Sequence, residues 1–267
     1  MIEVPDEFLP SIGVVYPHEN WIVFEEWVAK QLPIISEIEY LPIQWTAYFV
    51  NNGYGNDVLA LHKLQQFIDR LPKDKKYWTI VQYDDGILVD VSGIDLLQFN
   101  MSKNIGVPIP LLCMEHSYVH TQDKSILASF IGSHTHPIRE HIFKISNAEY
   151  YISDEQHDIN RYCKILANSI FGLCPRGYGL ASFRATECMQ YGTIPVYISD
   201  EFIIPFGVDF EEYGVLIKEE DAHRIEEILS NFTMLQIIEK QNNIKKYYEE
   251  YYTYTGAFNK IKEYLES

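Results

Sequence analysis

Short apolar runs alternate with helical patterns along most of this chain, and that alternation limits the fold more than any other feature. Strand-like runs fall at residues 12–16, 46–50, 77–82, 109–114, 126–131, 170–173, 194–198 and 214–217. Helical patterns fall at 57–71, 137–145, 182–191, 219–229 and 234–251. Strands separated by helices pair through crossovers rather than hairpins, which predicts mostly parallel sheets. Asp57 can cap the helix that follows it, and Leu61, Leu64, Phe67, Ile68 and Leu71 then share one apolar face.

The length of 267 residues suits two domains. The polar stretch 118–125 marks a division near residue 120. The expected organisation is a first Rossmann-like domain over 1–120 and a second over 121–240. The tyrosine-rich tail 241–267 is expected as helices packing back across both. Hydrophobic residues make up 47% of the chain and charged residues 22%, enough for a substantial core.

The formal net charge is −17. No basic stripe of the kind nucleic-acid binding needs is present, and an acidic chain is repelled by anionic membranes. A site for an anion must be made locally from the six arginines, Arg70, Arg139, Arg161, Arg176, Arg184 and Arg224. The N-terminus lacks the pattern of a signal peptide, and no apolar run reaches the length of a transmembrane helix. Cys113, Cys163, Cys174 and Cys188 form no CxxC pair and no zinc spacing. They read as reduced, buried thiols of a cytoplasmic protein.

Residues 169–200, SIFGLCPRGYGLASFRATECMQYGTIPVYISD, carry the strongest chemical signal. A strand runs into a loop with Pro175, Gly177 and Gly179, and a helix starts near Ser182. Ligands of open α/β sheets bind beyond the carboxyl ends of strands. A glycine-rich loop leading into a helix presents backbone N–H groups and the positive dipole end to an anion. Ser182 can cap the helix or bind a phosphate oxygen, and Arg176 and Arg184 add charge suited to phosphate. Glu187 lies roughly 7.5 Å along the helix, a diphosphate-to-ribose distance. The glycines match neither GxGxxG nor a P-loop, so NAD and ATP are not indicated. Taken alone, the same residues also describe an ordinary turn with surface arginines.

The run PRGYGLASFRATECMQYGTIPVYISDEFIIPF resembles the signature of exostosin-like glycosyltransferases, glycosyltransferase family 47, which carry a PRG…SFR…E…G-x-IPV…PF pattern. The resemblance is strong over residues 170–206. Weaker echoes lie at Phe130-Ile131-Gly132 with Ile138-Arg139, and at WTIVQYDDG over 78–86. The resemblance implies a GT-B fold, two Rossmann-like domains whose parallel sheets face a central cleft. It further implies a UDP-sugar donor held mainly by the C-terminal domain, a glycan acceptor, and no cofactor or required metal. Arg139, Arg176, Gly177, Ser182, Arg184 and Glu187 then carry over as the donor-binding set. The chain is shorter than the animal and plant enzymes and lacks their anchor and stem, so it is expected to be a compact soluble member.

Transfer to a hydroxyl needs a general base. Asp84 and Asp85 follow a strand and are the first choice, although Asp-Gly is also a common turn pair. His134 is the next choice, with His136 beside it and His18 on the acceptor side. The pairs Tyr247-Tyr248 and Tyr251-Tyr252 read as helix packing. The expected function is a metal-independent, inverting UDP-sugar glycosyltransferase. Another sugar-nucleotide enzyme, an epimerase or hydrolase, and a non-catalytic sugar-nucleotide-binding subunit are the alternatives.

Overall fold

Every strand pairing among the described residues is parallel, in two separate sheets. The structure is a computed structural model and describes residues 3–12, 22–31, 38–113, 115–116, 123–155 and 157–267. The chain forms two units, Met1–Met114 with Tyr254–Ser267, and Glu115–Thr253. The expected α/β class is therefore what the chain adopts, with one parallel sheet in each of the two units.

The first unit begins with α1 (Phe24–Lys30), β1 (Glu39–Tyr40), α2 (Trp45–Asn51) and α3 (Val58–Asp69). It continues with β2 (Lys76–Val81), β3 (Asp95–Asn100) and β4 (Val107–Pro108), and the sheet order is β1-β2-β3-β4. Strand β2 is buried from Tyr77 to Val81, as a strand covered on both faces should be. Asp57 caps α3 through Leu59 N and Ala60 N, and Leu64 and Ile68 enter the core with Leu61 and Phe67 packed beside them.

Residues 46–50 are helix, not strand. Their aromatic and β-branched side chains favour a strand, but all of Trp45–Phe49 is buried. The helix start is fixed from outside. Glu25 on α1 accepts from Thr46 N at 2.9 Å and Thr46 Oγ1 at 2.8 Å, taking the place of a local cap at a positive helix end. The same carboxylate accepts from Gln82 N at 2.7 Å, just past β2. Residues 109–113 form no strand, since pairing stops at Pro108. The run expected at 12–16 lies, apart from residue 12, outside the described residues.

The second unit contains β5 (Ile126–Ile131), α4 (Ile138–Phe143), β6 (Tyr150–Ser153), α5 (Ile159–Ala167) and β7 (Ser169–Pro175). It continues with α6 (Phe183–Gln190), β8 (Ile194–Ile198), β9 (Val215–Ile217), α7 (Ile225–Ser230) and α8 (Met234–Tyr247). The sheet order is β6-β5-β7-β8-β9. Helix α6 sits so close on β7 that a Cβ at Gly172 would lie 2.2 Å from Cys188 Sγ, which requires glycine there. Lys124 Nζ ties the ends of α5 and α6 together, donating to Ala167 O, Tyr191 O and Thr193 Oγ1 at 2.8, 3.0 and 2.8 Å. None of the four cysteines forms a disulfide, and all are buried.

The tail does not behave as one block. Helix α8 and a π turn at Tyr248–Tyr252 stay with the second unit, whereas α9 (Tyr254–Glu266) belongs to the first. There Tyr254 and Phe258 pack edge-on against Trp27, at 5.6 and 5.9 Å between centroids. No described helix is long and apolar enough to cross a membrane.

Burial raises the Glu25 carboxyl from its ordinary 4.5 to about 7, against the pull of its backbone hydrogen bonds from Thr46 and Gln82. The folded state thus holds a proton that the unfolded chain releases. Its contribution to stability is full below pH 4.5 and is lost as pH rises to about 7, a change of about 3 kcal/mol at most. Melting temperature followed from pH 4.5 to 7.5 should fall more steeply for the wild type than for Glu25→Gln. Parallel curves would show that Glu25 does not titrate in this range.

Candidate functional site

Strand β5 pairs with β6 on one side and β7 on the other, so the order of connection reverses between β5 and β7. Loops leaving such a switch point diverge and open a crevice at the carboxyl ends of the strands. The two loops here are 132–137 and 176–182, the second being the glycine-rich segment.

Arg139 ties these loops together. It is 8% exposed and lies on α4. Its Nε donates to Arg176 O at 3.0 Å, Nη1 to Ser133 O at 2.9 Å and Nη2 to Pro175 O at 3.3 Å. A Cβ on Gly177 would lie 3.1 Å from Arg139 Nη2 and 3.2 Å from Thr135 Oγ1, so glycine admits the guanidinium beneath the loop.

Ser182 is the N-cap of α6, its Oγ accepting from Arg184 N at 3.4 Å. The Arg184 side chain turns back to β5, donating to Ile131 O with its guanidinium 4.6 Å from the Phe130 ring. Arg139 approaches the same ring at 5.6 Å. The Arg184 Nε is enclosed and has no hydrogen-bond partner. Arg176 is more open, with 23% of its side chain exposed, and Nη2 donates to Tyr178 O at 3.0 Å. Glu219 lies 3.9 Å from Arg176 Nη1 and 4.0 Å from His136 Nδ1. Three arginines therefore converge on one switch point of a strongly acidic chain.

Glu187 projects from α6 into a polar cluster and is only 4% exposed. Tyr162 Oη of α5 donates to Oε2, and His116 Nε2 lies 3.2 Å from Oε1. The backbone N–H of His116 donates to Gln190 Oε1 at 3.1 Å, fixing that segment on the same helix. Burial, then the charge of Glu187, raises the Tyr162 phenol well above its ordinary range and keeps it a donor. Sequence reasoning missed both partners. They are 25 and 71 residues away from Glu187, and no local pattern marks them.

Both nitrogens of His134 face carboxylates, Nδ1 toward Glu140 and Nε2 toward Asp154 at 3.2 Å. These bonds, Glu140 first, raise its pKa and favour the imidazolium. An imidazolium donating from both nitrogens has no lone pair with which to take a proton. Asp84 and Asp85 are the central residues of a turn in the first unit, closed by Gly86 N to Tyr83 O at 2.8 Å, with Gly86 at φ +74°. Asp84 is half-buried and Asp85 exposed. His18 lies outside the described residues. The tail tyrosines pack: Tyr247 stacks on Tyr213 at 4.4 Å, and Tyr252 Oη meets Tyr213 Oη at 2.9 Å.

The exostosin GT47 domain model matches residues 82–232, more than half of the chain. The chain belongs to this family. The GT47 match takes in the Asp84-Asp85 turn, both switch-point loops and α6. The chain is 35% identical to an exostosin-1 homolog of Caenorhabditis elegans over 37% of its own length and 26% of that protein's. It is 37% identical to a "Probable glucuronosyltransferase" of Oryza sativa subsp. japonica, over 30% of its own length and 19% of that protein's. It thus aligns with about a quarter and a fifth of these two relatives. Among solved structures it is similar to TarM, with a TM-score of 0.42 and 10% identity over 77% of this chain and 53% of that one.

Arg139→Lys should loosen both loops, because an ammonium cannot reach three carbonyls in the guanidinium's fixed directions. Urea denaturation should show a loss of about 1–3 kcal/mol, with Arg161→Lys on exposed α5 surface as a near-neutral control. Equal stability of the two variants would remove the tie from the account of the site.

Proposed function

We propose that this chain is a glycosyltransferase that moves a sugar from a UDP-sugar to a hydroxyl of a glycan acceptor. One observation carries the reading: the family's PRG–SFR–E segment opens at the β5/β7 switch point, and three of the six arginines gather there. The diphosphate would sit against the N–H groups of the loop from Gly177 to Ser182 and the start of α6. Arg176 is the arginine a ligand can reach most directly, and Arg139 and Arg184 add positive field from behind the loop. Glu187 would meet the ribose hydroxyls.

In the proposed reaction the acceptor oxygen bonds to the anomeric carbon on the face opposite the leaving group. The bond from that carbon to the β-phosphate oxygen breaks, and UDP leaves with the electron pair. The acceptor's proton passes to a carboxylate, for which Asp84 and then Asp85 are proposed. His134 ranks behind them because both of its nitrogens already face carboxylates. Arginines can neutralise the leaving diphosphate, which supports a metal-independent transfer. The name of the rice relative supports glucuronate as the first donor to try.

A thermal-shift screen of UDP-, GDP-, CMP- and dTDP-sugars tests the donor class. The UDP-sugars should stabilise the chain, by roughly 2.7 kcal/mol at 100 times the dissociation constant. Transfer to an acceptor glycan should persist in EDTA. A preference for another nucleotide would overturn the UDP assignment. Activity lost in EDTA and restored by manganese would overturn metal independence.

A further inference from the structure

We propose that Tyr162 is a positioning residue, its hydroxyl holding the Glu187 carboxylate in the orientation that binds the nucleotide's ribose. The inference rests on the donor-site reading above. Its basis is the pairing of two side chains from consecutive helices of the second unit. Tyr162 comes from α5, whose start is fixed by the Asp158 cap, and Glu187 comes from α6, whose start is fixed by Ser182. The phenol donates to Oε2, while His116 Nε2 stands 3.2 Å from Oε1.

Enclosing a carboxylate costs free energy, and replacing a buried charge by apolar packing is often neutral or stabilising. A glutamate that served only to pack α6 against α5 would gain from its charge no more than these contacts with Tyr162 and His116. The charge has a use if a ligand donates to it. Ribose is such a ligand, because its two vicinal hydroxyls can donate to one carboxylate. A free glutamate has three rotatable bonds and would lose their freedom on binding. One already held by a donor on Oε2 avoids that loss. Burial keeps the phenol protonated, so the direction of this hydrogen bond does not change over the physiological range.

The test is a cycle of two proteins and two nucleotides. Calorimetry measures the affinity of wild type and Tyr162→Phe for UDP and for 2′,3′-dideoxyuridine diphosphate, which lacks both ribose hydroxyls. The substitution removes one oxygen atom. It should weaken UDP binding about tenfold and leave the dideoxy nucleotide's weaker binding within about twofold. A merely structural role would weaken both nucleotides equally, or lower the melting temperature with neither affinity changed, and either result overturns the inference. Glu187→Gln is run alongside as a second route, since it retains the packing and replaces the charged acceptor. It should show the same ribose-specific loss. If it binds both nucleotides as wild type does, the inference fails even if Tyr162→Phe does not fold. A wild type that binds no UDP would overturn the donor-site reading and this inference with it. UDP binding with no ribose-specific difference would overturn this inference alone.

Discussion

The guanidinium of Arg139 joins the two loops that leave the switch point of the second sheet, and the shape of the site follows from that junction. Three of its hydrogen bonds end on Ser133 O, Pro175 O and Arg176 O, one from the loop after β5 and two from the end of β7 and the loop that follows. A guanidinium is suited to this, since its donors point in fixed directions and its charge does not titrate away. Those three acceptors are dipoles rather than full charges, so these bonds fix the group without themselves neutralising it. Gly177 suits the same contact, because a Cβ there would lie 3.1 Å from Arg139 Nη2 and crowd it. Arg184 repeats the arrangement from the other side, reaching Ile131 O and lying over Phe130.

Parts of this were readable from local order in the sequence. The strand–loop–helix–strand unit around 169–200 is marked by Pro175, Gly177, Ser182 and Gly192, each acting within a few residues of itself. Strands β5 and β8 fall where the β-branched runs place them, and Ser182 and Asp57 cap the helices they precede. The reading failed where a distant residue decided the outcome. Residues 46–50 have the composition of a strand and become a helix because Glu25, 21 residues earlier, supplies the missing cap. Strand β3 went unseen because DLLQFN carries no β-branched residue and is strand only through its pairing with β2.

The site divides along the same line. Arg176, Gly177, Ser182, Arg184 and Glu187 sit on one short segment and could be found together. What each side chain does there was not legible. Arg184 reads from the pattern as a phosphate ligand, yet its side chain runs inward to brace β5. Glu187 reads from its place along the helix as a ribose ligand, and nothing local shows that Tyr162 and His116 also contact it. Helix α5 is plain enough once its Asp158 cap is noticed. Nothing in its sequence, however, tells which of its residues meets α6, because that depends on how both helices lie on β5 and β7.

Net charge explains why the arginines serve the scaffold before any ligand. At a formal charge of −17 the chain repels an anion at long range. At physiological ionic strength that repulsion fades over roughly 8 Å, the screening length, so any anion would be drawn in only once it is close. Attraction at such short range depends on position to within an ångström or so. A flexible surface arginine would lose freedom on contact and give back much of what it gained. Arginines already fixed to carbonyl oxygens lose little, and a low-dielectric setting beside Phe130 strengthens their field. An acidic chain can thus hold an anion site if its few cations are tied down before the anion arrives, as Arg139 and Arg184 are here.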